Sequence, residues 1–153
     1  MSANITEVWP GVFVGSGRAP ARDIVRDFGL ERAVILSQST WHDYWAEHQS
    51  SRLAAIDDGV AHSAGQIAQW LRDIVRAGAV TNVRIGFFCY AGLNRSATAA
   101  CLWRWWYGGV DPMESARDIL RVRPESFFFD YWRELLPQLT LPPVRGDATG
   151  ACT

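Results

Sequence analysis

Cys89 and Arg95, separated by five residues, form the pair in this sequence whose types and spacing could do chemistry. The largely apolar run 83–88, VRIGFF, predicts a buried strand that ends at the cysteine. A short loop with one glycine, Gly92, follows, and from Ser96 onward small and then bulky residues recur at helical spacing. The pattern predicts a strand, a tight loop and a helix, with a thiol at the strand's end and a guanidinium at the helix's start.

Such a loop is suited to binding an anion. A loop wrapped onto a helix N-terminus directs several backbone N–H groups at one point, with the positive end of the helix dipole behind them. This concavity binds a tetrahedral oxyanion, and Arg95 would add a charged, bidentate donor. The same field favours a thiolate over a thiol, and a thiolate beneath a bound phosphate is a nucleophile aimed at phosphorus. The loop therefore predicts cleavage of a phosphate ester through a cysteinyl-phosphate.

At these residues the sequence resembles a known family. Cys89, five intervening residues, Arg95 and Ser96 resemble the C-x5-R-[ST] signature of cysteine-dependent protein phosphatases. The fuller run 89–98, CYAGLNRSAT, is similar to C-x-A-G-x-x-R-S-x-T, a common form in the dual-specificity branch. The opening segment 7–16, EVWPGVFVGS, is a second and independent point of resemblance, so that the likeness extends over about residues 5–139.

Each residue of the loop has a predicted role. Cys89 would be the nucleophile, and Arg95 would hold two phosphate oxygens and stabilise the equatorial charge of the transition state. Ser96 could donate its hydroxyl to the Cys89 sulfur and so stabilise the thiolate as the leaving group of the second step. Gly92 would permit the backbone conformation in which the loop amides converge. The predicted phosphate-binding residues are Tyr90, Ala91, Gly92, Leu93, Asn94 and Arg95, and we assign no catalytic step to Tyr90, Leu93 or Asn94.

Cleavage of the ester also needs an acid that protonates the leaving oxygen. The resemblance implies an Asp on a loop about thirty residues before the cysteine, and Asp57 and Asp58 lie 32 and 31 residues before Cys89. Asp57 fits the dual-specificity spacing best, and Asp58 is the alternative. Both could instead be solvated turn residues before Gly59. In the hydrolysis step the acid would become the base that activates water.

The sequence departs from the family pattern at one position. The family usually has a His immediately before the cysteine, where this chain has Phe88. Because that His helps to hold the loop and to keep the thiol ionised, we expect reduced or pH-shifted activity more than none. Phe88 also favours a rival interpretation, a phospho-binding pseudophosphatase, against which the retained Cys89 and the spaced Asp argue.

The elements that must position these residues follow from periodicity and turn residues. Residues 5–15 alternate apolar and polar around Pro10-Gly11 and predict a strand, a turn and a second strand. Residues 19–28 predict a helix that stops at Gly29, and residues 32–37 a buried strand. Residues 40–51 show no clean period. Further along, the predicted elements are a strand at 53–56 and helices at 64–78, 96–107, 111–122 and 127–139.

Strands that alternate with helices imply a single α/β domain with a central, mostly parallel, twisted sheet flanked by helices. A phosphatase-like P-loop would join strand and helix at the cysteine. We expect the catalytic domain to occupy residues 1–141 and residues 142–153 to form a flexible tail.

Composition excludes several classes of protein. The chain has 153 residues, 48% of them hydrophobic, which suits one domain with a real core. Its formal net charge of −1 argues against a dedicated nucleic-acid or membrane-surface binder. The sequence has no long apolar span and no signal-peptide pattern, which predicts a cytoplasmic protein.

The cysteines and histidines indicate no metal centre. Cys89, Cys101 and Cys152 form neither a disulfide framework nor a metal-binding spacing, and Cys101 is expected to be a small buried residue. None of the three histidines lies at a metal-ligand spacing. We expect no metal and no cofactor.

The expected function is a protein phosphatase that acts on phosphotyrosine and/or phosphoserine/threonine, with a phosphorylated protein as its partner. Asn94-Arg95 also occurs in relatives that act on RNA 5′-phosphates or phosphoinositides, but the near-neutral charge weakens both alternatives. Sulfur transferases and arsenate reductases prefer a different loop length or an N-terminal cysteine, and no resolving cysteine is evident. The sequence leaves the oligomeric state open.

Overall fold

The structure is a computed structural model that describes residues 4–48, 50–52, 63, 66, 69, 83–126 and 128. Its strands are β1 (Ile5–Trp9), β2 (Val12–Ser16), β3 (Arg32–Ile35), β4 (Ser50–Arg52) and β5 (Ile85–Cys89). Its α-helices of described extent are α1 (Ala21–Phe28), α2 (Asp43–Glu47), α3 (Arg95–Gly108) and α4 (Pro112–Val122). A 3-10 turn occupies Gln38–Thr40.

Within the described residues the strands form one sheet in the order β1-β2-β5-β3-β4. The hairpin of β1 and β2 is antiparallel, and every other neighbouring pair is parallel. The expectation of an α/β fold around a mostly parallel sheet is confirmed. Because β5 lies in the centre, its carboxyl end, which carries the cysteine, is flanked by the carboxyl ends of β2 and β3.

Strand β5 separates two apolar cores, and all five of its residues are buried. Ile85, Phe87 and Cys89 face the larger core, which the apolar side of α3 and part of α4 complete. Phe88 faces the smaller core, formed with α1 and α2. A strand buried on both faces reads as a continuous apolar run, which is why the sequence alone indicated it.

The ends of the helices follow from local chemistry. Gly29 and Gly109 close α1 and α3 in the left-handed conformation, with φ of 61° and 66°. Asp111 caps α4 by accepting a hydrogen bond from the backbone N–H of Met113, and the helix ends at Val122 before Pro124. The predicted stop at Gly29 is confirmed, and α3 and α4 lie where helices were predicted, at 96–107 and 111–122.

The segment without a clean period contains α2 and β4. Helix α2 has five residues, too few for a helical period to show, and it is held by the fully buried Trp45. Strand β4 is the short sequence Ser-Ser-Arg at the sheet edge, which carries no apolar alternation. Both elements depend on tertiary contacts and not on a local pattern.

Several of the predicted elements fall wholly or partly on residues that the structure does not describe. Gln66 and Gln69 are helical, and Ser63 and Gln66 exchange backbone-to-side-chain hydrogen bonds as a capping box, at the start of the helix predicted over 64–78. Phe128, the one described residue of the helix predicted at 127–139, is not helical. The other predictions lie outside the described residues: the strand at 53–56, the remainder of the helix at 64–78, the rest of the helix at 127–139 and the tail.

Candidate active site

The sulfur of Cys89 lies where β5 passes into the loop before α3, and polar groups surround it. The residue is 2% exposed, and its Sγ accepts the backbone N–H of Gly92 at 3.2 Å. Sγ lies 3.4 Å from the hydroxyl of Ser96, which is in the first turn of α3. An N–H and a hydroxyl around one sulfur favour the negatively charged thiolate. The arrangement therefore provides a buried sulfur that is suited to act as a nucleophile.

Gly92 gives the loop its shape. Its φ is +75°, a left-handed conformation that glycine adopts at no steric cost. A Cβ at this position would collide with the backbone of Gly15 and Ser16 at the end of β2. The loop therefore needs a glycine for two reasons, its backbone angle and its close approach to the neighbouring strand.

Arg95 is the first residue of α3 and is tied to the strand on the other side of β5. Its Nη1 donates to the carbonyl oxygen of Leu36 at 3.0 Å, and the N–H of Leu36 donates to the carbonyl oxygen of Phe88 at 2.7 Å. The guanidinium is thus held beside the strand that carries the cysteine. The first turn of α3 contains no acidic residue. A cation added to the positive end of a helix dipole creates a local field that favours a bound anion.

The end of β2 braces the loop from the opposite side, which the sequence analysis missed. The hydroxyl of Ser16 donates to the carbonyl oxygen of Tyr90 at 2.6 Å, and the N–H of Gly17 donates to that of Cys89 at 3.0 Å. The guanidinium of Arg18 lies over the Tyr90 ring, 4.7 Å from its centroid. The adjacent carboxyl ends of parallel strands were a signal that could have found Ser16.

Arg123, just after α4, is a second residue that the sequence analysis missed. It is 1% exposed, and its Nε donates to the carbonyl oxygen of Gly92 at 3.0 Å. Its other nitrogens bond the hydroxyl of Thr6 and the carbonyl oxygen of Asn4, at 3.0 and 3.3 Å. Burial lowers the pKa of the Arg123 guanidinium, and the negative charges of Glu125 and of Cys89 partly oppose this. No local pattern identified this arginine, because its partners are distant in sequence.

Phe88 is built into the smaller core. Its side chain is fully buried and stacks on Trp45, with ring centroids 6.0 Å apart and an interplanar angle of 27°. It lies on the opposite face of the sheet from Cys89. The position that usually holds His in the resembled family thus contributes packing and no polar group to the loop.

The remaining predicted residues lie in the loop, in α3 or outside the described residues. In the loop, Tyr90 is exposed, Ala91 and Leu93 are half-buried, and Asn94 is buried. Cys101 is fully buried in the middle of α3, where burial raises the pKa of its thiol, which confirms that it is a small core residue. Asp57 and Asp58 lie outside the described residues.

The described residues show neither a metal centre nor a membrane span. They contain no group of three His, Cys, Asp or Glu side chains that could hold a metal ion. None of the helices in this part of the chain combines the length and apolar character needed to cross a membrane.

Comparison with known proteins gives matches of structure and not of sequence. No protein-family model and no curated protein matches the sequence. Human DUSP28 matches with a TM-score of 0.70 at 16% identity, over 90% of this chain and 93% of that chain. A mouse putative dual specificity phosphatase complexed with zinc tungstate matches with a TM-score of 0.71 at 16% identity, over 99% and 93%. PTPMT1 in complex with PI(5)P matches with a TM-score of 0.68 at 15% identity, over 98% and 99%. At these identities the shared property is the fold, and the chain has the fold of the dual-specificity phosphatases, as the sequence resemblance predicted.

Proposed function

We propose that this protein is a cysteine-dependent phosphatase that hydrolyses phosphotyrosine and/or phosphoserine/threonine in proteins. The observation that carries the proposal is the environment of one sulfur. Cys89 Sγ accepts the Gly92 N–H at 3.2 Å and lies 3.4 Å from the Ser96 hydroxyl, at the N-terminus of a 14-residue helix that begins with Arg95. A thiolate, a converging loop and a fixed cation are the parts that attack on a bound phosphate requires.

In the first step the phosphate oxygens would bind the amides of residues 90–95 and the guanidinium of Arg95. The Cys89 thiolate attacks phosphorus, so that a sulfur–phosphorus bond forms while the bond to the leaving oxygen breaks. Asp57 would give its proton to that oxygen, and the dephosphorylated alcohol or phenol departs. Charge on the transferred phosphoryl group spreads over three equatorial oxygens, which Arg95 and the amides stabilise.

In the second step water attacks the phosphorus of the cysteinyl-phosphate. Asp57, now a carboxylate, takes the proton from water, and the sulfur–phosphorus bond breaks to release inorganic phosphate and the Cys89 thiolate. The Ser96 hydroxyl and the Gly92 N–H stabilise the negative charge that returns to sulfur, which makes it a better leaving group. Both groups are already within hydrogen-bond distance of the sulfur.

A phosphoinositide is the second candidate substrate. PTPMT1, which shares the fold over 98% of this chain, was solved in complex with PI(5)P. A direct comparison of phosphopeptides with PI(5)P at equal concentration would separate the two. We expect a higher kcat/KM for the phosphopeptides, and the reverse order would overturn the protein-phosphatase assignment while leaving the chemistry intact.

The test of the chemistry is hydrolysis of p-nitrophenyl phosphate against pH, in EDTA, by the parent and by Cys89→Ser, Asp57→Ala and Asp58→Ala. The serine variant should lose activity by about a thousandfold or more, because it lacks the nucleophile. Asp57→Ala should flatten the limb of the pH profile that reports the acid, and Asp58→Ala should not. A parent as inert as Cys89→Ser at every pH would contradict the enzyme proposal and favour a phosphate-binding module.

A further inference from the structure

Arg123 is a buried cation whose hydrogen-bond partners are all neutral. Its three hydrogen bonds go to two carbonyl oxygens and one hydroxyl. Among the described residues it forms no ion pair with a carboxylate. Burial of an unneutralised guanidinium costs several kcal/mol, and hydrogen bonds to neutral oxygens offset only part of that cost. Glu125 acts on the guanidinium through its charge and not through a hydrogen bond. The fold therefore keeps a positive charge beneath the loop, and this charge favours an anion bound in the loop.

One residue connects this charge to the nucleophile. The carbonyl oxygen of Gly92 accepts Arg123 Nε at 3.0 Å, and the N–H of the same glycine donates to Cys89 Sγ at 3.2 Å. The guanidinium fixes Gly92, and Gly92 presents its N–H to the sulfur. Burial lowers the pKa of the Arg123 guanidinium, and the charge of Glu125, followed by that of Cys89, opposes this shift.

The hydrogen bonds of Arg123 also anchor the loop to a strand that is distant in sequence. Arg123 Nη1 bonds the Thr6 hydroxyl in β1, and Nη2 bonds the carbonyl oxygen of Asn4. The planar fork of the guanidinium can serve three acceptors in fixed directions, which a lysine cannot do. Phe88, the residue next to the nucleophile, brings no polar group from the other face of the sheet.

We propose that Arg123 is a positioning residue for the phosphatase reaction, which directs the Gly92 N–H at Cys89 and supplies a fixed positive charge beneath the loop that favours the thiolate. The inference rests on the proposed function, because it gives Arg123 a part in the same reaction. It also makes a statement about the sulfur alone, which can be tested without any turnover.

The test is the rate of Cys89 alkylation by iodoacetamide against pH, followed by mass spectrometry of the Cys89 peptide. We compare the parent with Arg123→Gln, which removes the charge, and Arg123→Lys, which keeps the charge and loses the fork. The matched control is Arg104→Gln. Arg104 is a part-buried arginine that joins α3 to α4 through Asp118 at 2.8 Å, and its other contacts are with Ser115 and the Trp9 ring.

For Arg123→Gln we expect alkylation to slow about five- to tenfold at about pH 6.5 and to approach the parent rate at about pH 9.5, because a lost positive charge disfavours the thiolate. Arg123→Lys should retain most of the rate at low pH but lower kcat for p-nitrophenyl phosphate more than it changes KM. Arg104→Gln should lower thermal stability without changing the alkylation profile.

Several outcomes would overturn the inference. If Arg123→Gln slowed alkylation equally at every pH, or left it unchanged, Arg123 would have only a structural role and no effect on ionisation of the thiol. Arg104→Gln could change the profile in the same way, which would make the effect one of general loosening. If Arg123→Gln does not fold, the test is made on Arg123→Lys, which keeps the positive charge. If Cys89 in the folded lysine variant were alkylated at low pH as slowly as in the denatured chain, the charge argument would be contradicted. A parent without phosphatase activity but with the expected alkylation profiles would contradict the proposed function alone.

Discussion

Cys89 and Cys101 are both buried thiols: Cys89 ends strand β5 before the loop that leads into α3, and Cys101 lies in the middle of α3. Cys89 is 2% exposed and Cys101 is fully buried, so burial does not distinguish them. Their neighbours do. Cys89 has an N–H and a hydroxyl at its sulfur, whereas apolar burial at Cys101 raises the pKa of the thiol. The N-terminal end of α3 therefore faces a polar environment suited to an anion, whereas the middle of the same helix is surrounded by apolar side chains.

The largest effect should separate the two arginines of α3. Arg95→Lys replaces a bidentate donor with a point charge, and we expect kcat/KM for p-nitrophenyl phosphate to fall by about a thousandfold. The Arg104 guanidinium pairs with Asp118 and lies over the Trp9 ring, 4.3 Å from its centroid. Arg104→Lys should therefore lower the free energy of unfolding and leave kcat/KM within about threefold of the parent value. Equal losses of activity in the two variants would break the comparison.

Two glycines in the left-handed conformation provide the next contrast. Gly92→Ala strains the backbone and drives a Cβ into Gly15 and Ser16, so activity should fall about a hundredfold or more and the free energy of unfolding by about 1–3 kcal/mol. Gly109→Ala, at φ 66° at the other end of α3, should cost about 1 kcal/mol and leave activity unchanged. Urea unfolding and steady-state kinetics on both variants measure this, and an active Gly92→Ala would contradict the loop's role.

Two buried hydroxyls two positions apart on α3 sharpen the contrast further. Ser96→Ala removes the group 3.4 Å from the Cys89 sulfur, and we expect breakdown of the cysteinyl-phosphate to slow about ten- to a hundredfold, with a burst of product in the first turnover. The Thr98 hydroxyl has no hydrogen-bond partner among the described residues, so Thr98→Val should be neutral or slightly stabilising. Stopped-flow measurement of the burst tests this, and a Ser96→Ala enzyme with no change in the second step would remove the hydroxyl from the mechanism.

The smallest effect concerns Cys101 and pH. Because burial raises the pKa of the Cys101 thiol above its ordinary value of 9.0, the folded state keeps a proton that the unfolded state loses as the pH rises. Below about pH 9 both states hold the proton, and above it the free energy of unfolding should fall by up to about 1.4 kcal/mol per pH unit. Cys101→Ala should lack this part of the slope in urea titrations. Identical slopes in parent and variant would show that Cys101 is not the apolar thiol described here.

The parts of this fold that could be predicted are those with a local cause. Strand β5 and helix α3 follow from an apolar run and a helical period, and the ends of the helices follow from Gly29 and Gly109. The braces of the loop could not be predicted in this way. Ser16 lies 74 residues from Tyr90, and Arg123 lies 31 residues from Gly92, so only the folded chain brings them together.

Two further features could not be predicted from the sequence, and the reasons are again physical. Helix α2 and strand β4 are too short for a period, and their position depends on the burial of Trp45 and on pairing with β3. The assignment of Asp57 as the acid rests on spacing from Cys89 and stays a prediction, because the residue lies outside the described part of the chain.

The central claim is that the Cys89 sulfur, and no other group, takes the phosphoryl group. The most direct measurement is an acid quench of the parent during turnover of a radiolabelled phosphopeptide, followed by peptide mapping. We predict a labelled phosphoryl group on the Cys89 peptide that is absent from Cys89→Ser and still present in Cys101→Ala. Turnover without label on that peptide, or label that survives in Cys89→Ser, would contradict the account.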